Sequence, residues 1–393
     1  MPKVLRIINR FNLGGPTYNV AYLSKYLQGY ETLLVGGEKD DSEDSSTFIT
    51  SSLGLKPVII EEMKRKIDPT QDIAAYKKIK SIIKDYKPDI VHTHASKAGT
   101  LGRLAAFSCK VPKVVHTFHG HVFHSYFGFA TTTFYKNIER YLAKRSDAIV
   151  AISEKQKIEL SEIHKICDAN KITVIPLGFD LLKFNSDIDS KRTNFRKKYN
   201  LKSDEICIGI IGRLVPVKNH KMFIEAFKKL TETTSKKVKA FIVGDGELKD
   251  ELLAYCKTVN LSFSYITNPN YDAQVIFTSW IKEVDEVLAG IDIVALTSFN
   301  EGTPVSLIEA QACNKPIVTT NVGGIENVVK PNITAILCEN NNAIAFSNAL
   351  FKIVENEHLR LKMGTDGWVF VKDNFHYTRL CNDMKALYDR LLI

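Results

Sequence analysis

The run Ser298-Phe-Asn-Glu-Gly-Thr-Pro-Val-Ser-Leu-Ile-Glu-Ala-Gln-Ala-Cys313 carries two carboxylates, Glu301 and Glu309, on either side of an expected helix start. Thr303 suits a helix cap and Pro304 the first helical position. The N–H groups of Val305 and Ser306 then point back at the loop and attract an anion. Glu301 sits in that loop and Glu309 about two turns along the helix. Both can reach one extended ligand, Glu301 near its reactive end and Glu309 deeper; a surface glutamate beside a capped helix is the plainer alternative. A second run, Ile208-Gly-Ile-Ile-Gly-Arg-Leu-Val-Pro-Val-Lys-Asn219, ends a strand at Gly212 and places Arg213 and Lys218 in the turn to a helix. Two cations so placed can clamp a pyrophosphate, or simply stand in solvent.

Leu13-Gly-Gly-Pro16 follows the first apolar run, and its Gly15 lets backbone approach a ligand closely. It is not the G-x-G-x-x-G fingerprint, and neither is Gly244-Asp-Gly246. Six of the ten histidines (His92, His94, His116, His119, His121, His124) fall within 33 residues. No carboxylate or cysteine accompanies them at metal-ligand spacing, so they are expected to mark strand ends facing a cleft, with His92 and His116 as candidates for buried, satisfied side chains. His94 and Lys97, in Val-His-Thr-His-Ala-Ser-Lys-Ala-Gly, are the acceptor-side candidates. Aromatic residues at 126–129, 134 and 135 precede Lys136, Arg140, Lys144 and Arg145, which fits either a membrane-interface contact or core aromatics behind a solvated helix face.

These residues need elements to hold them. Short apolar runs at 4–8, 33–35, 90–92, 114–117, 148–152 and 173–175 predict buried strands, with helices at 18–27, 73–84 and 98–107 between them. The pattern restarts with strands at 206–211, 239–243, 262–266, 275–277, 293–296 and 316–319 and helices at 219–230 and 304–313. This alternation in two blocks predicts two parallel-sheet α/β domains, with functional residues at the carboxyl ends of strands. The boundary is expected within 176–203, a polar, Lys/Arg-rich stretch, and 38–46 reads as an exposed loop.

The 393 residues suit two domains, and 45% apolar with 25% charged residues exclude a mostly disordered chain, a collagen-like fibre and a coiled-coil rod. No apolar run is long enough to span a bilayer, and the N-terminus is expected to be a strand and not a signal peptide. Seven scattered cysteines without C-x-x-C argue against a disulfide framework or zinc ribbon and fit the reducing cytoplasm. The net charge is +9, of which residues 1–180 carry +7. That excess suits an anionic membrane surface, an anionic substrate or plain solvation; nucleic-acid motifs are missing, so no nucleic-acid partner is expected.

Taken together, the motifs resemble the retaining glycosyltransferases of family 4, formerly group 1. Glu301 and Glu309 are similar to that family's E-x7-E, and SFNEGTPVSLIEAQAC to its S-x-x-E-G-x-P-x-x-x-x-E-A-x-A. GRLVPVKNH resembles its phosphate clamp, VGDGE its strand end, VIPLGFDLLKF its domain junction and NLGGP its N-terminal turn. THASKAGTLGRLAA and HTFHGH resemble polysaccharide-type members. The resemblance implies a GT-B fold of two Rossmann-like domains facing an interdomain cleft: residues 1–180 binding the acceptor, 181–375 binding a nucleotide sugar, and 376–393 a helix crossing back to the N-terminal domain. It implies that Arg213 and Lys218, beside Gly212, hold the donor diphosphate, that Glu309 binds ribose hydroxyls, and that Glu301 binds donor-sugar hydroxyls with backbone around Gly302, Thr303 and Val305. Gly15 would bring backbone N–H groups to phosphate or acceptor, His119 would stand near the reacting sugar, and Trp280 near the base. The resemblance also implies that no metal or other cofactor is needed, since members of that family are typically metal-independent.

The expected reaction is retaining transfer from a nucleotide-diphosphate sugar, UDP-linked, to a hydroxyl of a glycan. The basic N-terminal half suggests a lipid-linked acceptor such as a polyprenyl-diphosphate sugar in surface polysaccharide synthesis, and a cytoplasmic enzyme with peripheral contact to an anionic membrane. A nucleotide-sugar 2-epimerase of the same fold and a non-catalytic nucleotide- or glycan-binding protein are the rivals. Three departures from the family pattern bear on donor fit: Leu177 where Asn is usual, Glu326 one residue early in GGIEN, and the polar Thr303.

Overall fold

The computed structural model describes residues 1–12, 15–39, 46–64, 66–120, 129–266 and 270–393. Leu13, Gly14, His121, His124, the aromatic residues at 126–128 and most of the expected 38–46 loop lie outside the described residues. The chain divides into two compact units, Met1–Phe179 with Asn374–Ile393, and Asp180–Asp373.

The first unit holds strands β1 (Lys3–Arg10), β2 (Glu31–Gly37), β3 (Val58–Ile59), β4 (Ile90–His94), β5 (Lys113–Phe118), β6 (Ala148–Ala151) and β7 (Ile172–Val174). They form one sheet in the order β3-β2-β1-β4-β5-β6-β7, with parallel pairing throughout. Strands covered on both faces read as unbroken apolar runs. In β1, Val4 packs into the layer containing Leu380, Met384 and Tyr388, while Leu5 and Ile7 pack into the layer of Ala75, Ile79 and Ala105. Helix Tyr377–Leu392 joins this unit because Leu380, Cys381, Met384, Leu387 and Tyr388 recur at helical spacing on one face, and all five are buried. Phe179 N–H donates to the Phe375 carbonyl and Tyr377 N–H to the Phe179 carbonyl, at 2.8 and 3.0 Å. Arg379 donates to the carbonyls of Pro176 and Leu177. Leu177 is itself buried, so the departure from Asn serves packing inside this unit.

The second unit repeats the design with β8 (Glu205–Ile211), β9 (Lys237–Val243), β10 (Phe263–Tyr265), β11 (Val275–Ser279), β12 (Ile293–Leu296), β13 (Ile317–Thr320) and β14 (Ala335–Cys338), ordered β10-β11-β9-β8-β12-β13-β14 and again parallel. The chain builds outward from β8 in one direction and from β12 in the other. The β8–β12 junction is therefore the point where strand order reverses, as β1–β4 is in the first unit, and such points open a crevice at the strands' carboxyl ends.

The unit boundary falls at Phe179–Asp180, inside the expected 176–203, but the polar stretch beyond it is no linker: 188–198 forms helix Ile188–Lys198, packed within the second unit. Arg192 and Arg196 both pair with Asp292, and Phe195 is buried. Cationic composition hid an amphipathic helix whose guanidinium groups are internally partnered. Thr303 does not cap the next helix either. Helix Val305–Ala312 has Pro304 as its N-cap residue and no side-chain cap bond.

Candidate active site

Lys218 closes the short turn Pro216–Lys218 after β8, and Asn219 follows with φ 49° as N-cap of helix His220–Thr233, accepting from Met222 N–H. The loop after β12 is stitched to this turn. Phe299 N–H donates to the Val217 carbonyl at 2.8 Å, and Thr297 Oγ1 donates to the carbonyls of Lys218 and Asn219 at 3.1 and 2.9 Å. These bonds bring the side chains of Lys218 and Glu301 together: Lys218 Nζ donates to Glu301 Oε1 at 2.6 Å. Ser298 Oγ donates to the same oxygen at 2.5 Å. Ser298 is fully buried and its carbonyl accepts from Thr320 Oγ1, so the hydroxyl has a fixed aim. One carboxylate oxygen of Glu301 thus takes two donors, which leaves Oε2 for a ligand.

Backbone of the turn after β13 underpins this loop. Gly324 N–H donates to the Glu301 carbonyl at 2.8 Å. Gly323 has φ 54°, and a Cβ there would fall 2.0 Å from the same carbonyl oxygen, so only glycine fits. Gly302 is exposed, and the space where its Cβ would stand is open. Arg213, one residue beyond Gly212, is exposed and has no ion pair or side-chain hydrogen bond among the described residues. A Cβ on Gly212 would lie 3.5 Å from Lys218 Cε, so the lysine stem runs over that glycine. A cation pair, one bound to a carboxylate and one free, therefore flanks the crevice end of β8. Such a pair suits an anion that brings two or more negative charges.

Glu309 lies one helix further in, partly buried, and its side chain has no hydrogen-bond partner among the described residues. Burial pushes its carboxyl up to about 7; Lys183 pulls it down and Asp285 pushes it up. Asp285 is in the first turn of helix Val284–Gly290. Trp280 is 47% exposed. Thr303 and Val305 are partly buried at the helix start. Glu326 accepts from Asn321 at 3.1 Å.

In the first unit the histidines divide. His92 is fully buried, with Nδ1 2.5 Å from Tyr388 Oη and Nε2 2.7 Å from Thr117 Oγ1. His116, also fully buried, has Nδ1 2.8 Å from Thr93 Oγ1 while its Nε2 has no partner among the described residues. His94 Nδ1 stands 2.9 Å from His119 Nε2, so one of the two rings donates to the other. Burial pushes the imidazoles of His92, His94 and His116 well below their usual value and that of His119 down to about 3. These rings are neutral at pH 7. Among the described residues no three His, Cys, Asp or Glu side chains converge as metal ligands. Lys97 is committed elsewhere: its ammonium pairs with Asp72 at 2.5 Å and donates to the carbonyls of Lys64 and Lys66. Gly15 starts helix Gly15–Tyr26, where a Cβ would meet Leu177 Cδ1 at 3.0 Å. Of the aromatic and basic group, Arg140 donates to the carbonyls of His164 and Lys165, and Arg145 covers the Phe107 ring, while Phe134 and Tyr141 are exposed. No helix among the described residues is long and apolar enough to cross a membrane.

Ser298 and Gly323 are contributors that spacing arguments passed over. A serine three residues before a loop glutamate is common, and only its burial distinguishes this one.

Comparison with known proteins identifies the family and the fold. The model "Glycosyl transferases group 1" matches residues 191–367, and "Glycosyltransferase Family 4" matches 14–182. The chain is 31% identical over 341 residues to an Escherichia coli protein named UDP-Gal:alpha-D-GlcNAc-diphosphoundecaprenol alpha-1,3-galactosyltransferase, covering 86% of this chain and 85% of that one. It is 27% identical to the Staphylococcus aureus capsular polysaccharide biosynthesis glycosyltransferase CapM, covering 84% and 86%. Among solved structures it is similar to Anabaena Alr3699/HepE in complex with UDP, with TM-score 0.81, 18% identity, and 99% and 100% of the two chains covered. That likeness shows the fold to be GT-B.

Proposed function

The chain belongs to the group 1 glycosyltransferases, and from that premise we propose that it transfers a hexose, with retention, from a UDP-sugar to a hydroxyl of a polyprenyl-diphosphate-linked glycan in surface polysaccharide synthesis. The observation that carries this reading is the Lys218–Glu301 pair at the β8–β12 junction, with Arg213 free beside it. An arriving diphosphate competes with Glu301 for Lys218 and takes Arg213 as well. Both cations then stabilise the charge that builds on the departing phosphate, the electrostatic contribution that dominates many such transfers. Glu301, held by Ser298, accepts from donor-sugar hydroxyls, with the backbone of residues 302–305 alongside. Glu309 accepts from the ribose hydroxyls, Trp280 stacks on the base, and Gly15 brings backbone to phosphate or acceptor. His119, oriented by His94, hydrogen-bonds near the reacting carbon.

In the transfer step the bond from the sugar's anomeric carbon to the phosphate oxygen breaks, and the acceptor oxygen bonds to the same face. The acceptor's proton goes to the leaving diphosphate, so UDP departs and no carboxylate need form a covalent intermediate. With two cations at the leaving group, turnover in EDTA is expected. The +7 charge of residues 1–180 supports peripheral contact with anionic lipid on the acceptor side.

The test is incubation with UDP-hexoses, UDP-galactose first, and N-acetylglucosaminyl-diphosphopolyprenol, followed by mass spectrometry and NMR of the anomeric linkage. One hexose added with the donor's anomeric configuration is the expected product. Isomerised UDP-sugar in the absence of acceptor, or an inverted linkage, contradicts the proposal.

A further inference from the structure

An exposed tryptophan is unusual, since the indole ring gains most from burial. The residue before Trp280 holds a constrained backbone. Ser279, the last residue of β11, has φ 57°, a left-handed conformation that costs any residue with a Cβ. The pairing of β11 with β9 slips between Phe277 and Ser279, and the Ser279 carbonyl accepts from Gly244 N–H at 3.0 Å. What holds the serine there is Asp245. Ser279 Oγ donates to Asp245 Oδ2 at 2.8 Å, while Asp245 Oδ1 accepts from Gly246 N–H at 2.8 Å.

The same aspartate grips the other side. Its carbonyl accepts from Leu214 N–H at 2.9 Å, one residue beyond Arg213. The contact has no slack. Gly244 has φ 145°, and a Cβ on it would fall 2.0 Å from the Gly212 carbonyl oxygen; one on Gly246 would fall 2.5 Å from that of Leu214. The carboxyl ends of β8, β9 and β11 are thus locked backbone to backbone, with Asp245 as the joint between the Arg213 turn and the Trp280 turn.

We propose that Asp245 is a positioning residue for nucleotide selection: it clamps Ser279 in its left-handed turn, so that Trp280 faces a nucleobase at a fixed distance from the diphosphate-binding Arg213. This rests on the assignment of Trp280 and Arg213 to the donor nucleotide. Strain at Ser279, relieved through one side-chain bond, makes the geometry of the base platform depend on a residue that touches no ligand.

The test titrates UDP and GDP into the full chain, followed by Trp280 fluorescence in a Trp368→Phe background and by calorimetry. Asp245→Ala is expected to raise the Kd for UDP about tenfold, the effect of losing one well-placed contact, and to narrow the gap between UDP and GDP. Ser279→Ala, which removes only the hydroxyl and leaves the fold intact, is expected to move both values the same way by a smaller factor. Asp245→Asn accepts from Gly246 N–H and donates to Ser279 Oγ, so it recovers most of the loss. The decisive variant is Asp245→Ala with Ser279→Gly. Glycine takes a positive φ without strain and holds the turn unaided, so UDP affinity and selectivity return toward wild type, which a generally loosened fold would not do. The proposal is overturned if Asp245→Ala and Ser279→Ala both bind UDP within twofold of wild type, or if the added glycine restores nothing. Trp280→Ala separates the two levels. Unchanged UDP binding in that variant removes the base assignment itself, whereas weakened binding beside an unaffected Asp245→Ala removes only the role of Asp245.

Discussion

The two units share a strand order but treat their polar residues in opposite ways. At the β8–β12 junction the charges are kept partly open to solvent, with Lys218 paired to Glu301 and Arg213 free. At the β4–β5 ends of the first unit four histidines are made neutral by burial beside the buried cations Arg6 and Arg103, the latter paired with Glu139. The first arrangement handles charge that comes and goes with a ligand. The second supplies hydrogen bonds of fixed direction from neutral rings. Under the proposed function, donor binding by the second unit is expected to depend on electrostatics.

The sharpest way to break this contrast is to delete the charges. Arg213→Ala or Lys218→Ala is expected to lower turnover by on the order of 10²-fold or more, measured as kcat/KM for the donor. A change of less than threefold in both would place the electrostatic work elsewhere.

Acid should separate the units next. Each buried histidine binds its proton more weakly in the folded chain than in the unfolded one. The unfolded state therefore takes up protons first as pH falls below about 6.5, and stability drops by roughly 1–2 kcal/mol per buried histidine by pH 5. Glu309 has the opposite sign. Its raised carboxyl keeps a proton up to about 7, so the stability it contributes is present at low pH and is lost as pH climbs toward 7. His220 in the second unit, pushed down to about 4 by burial, adds one group of the histidine kind. Hydrogen exchange resolved by peptide should show the first unit losing more protection than the second between pH 7.5 and pH 5. Equal losses would contradict the contrast.

A smaller effect follows from the same carboxyl. If Glu309 accepts from ribose hydroxyls it must be ionised, so UDP affinity should rise several-fold from pH 6 to pH 8 and stay flat in Glu309→Gln. Calorimetry at both pH values decides this. The smallest effect concerns Lys97. With its ammonium committed to Asp72 and two carbonyls, Lys97→Met should cost about 1 kcal/mol of stability and leave acceptor KM within threefold. A large rise in acceptor KM would restore Lys97 to the binding surface.

The same contrast explains what was legible in the amino-acid sequence. Long apolar runs such as β1 and β8 announce themselves because both faces are covered. β3 has two residues, both exposed, so it gives no periodic signal. Helix Ile188–Lys198 was masked by cations whose partners, Asp292 and the Gly290 carbonyl, lie about a hundred residues away. Arg213, Lys218, Glu301 and Glu309 stood out because each sits at or just beyond a turn from a strand into a helix, at the spacing the family motifs share. Ser298 and Gly323 did not, because their roles exist only once β12 and β13 lie side by side. The histidine concentration was visible, but composition alone could not distinguish the satisfied His92 from the His94–His119 pair.

The central claim is that Lys218 exchanges Glu301 for a donor diphosphate. The direct measurement is calorimetric titration of UDP, in EDTA, into the wild-type chain, Lys218→Ala and Glu301→Gln. The account predicts metal-free binding by wild type, binding weakened by on the order of 10²-fold in Lys218→Ala, and binding at least as tight as wild type in Glu301→Gln, whose lysine is released from its carboxylate partner. Equal UDP affinity in wild type and Lys218→Ala would contradict it.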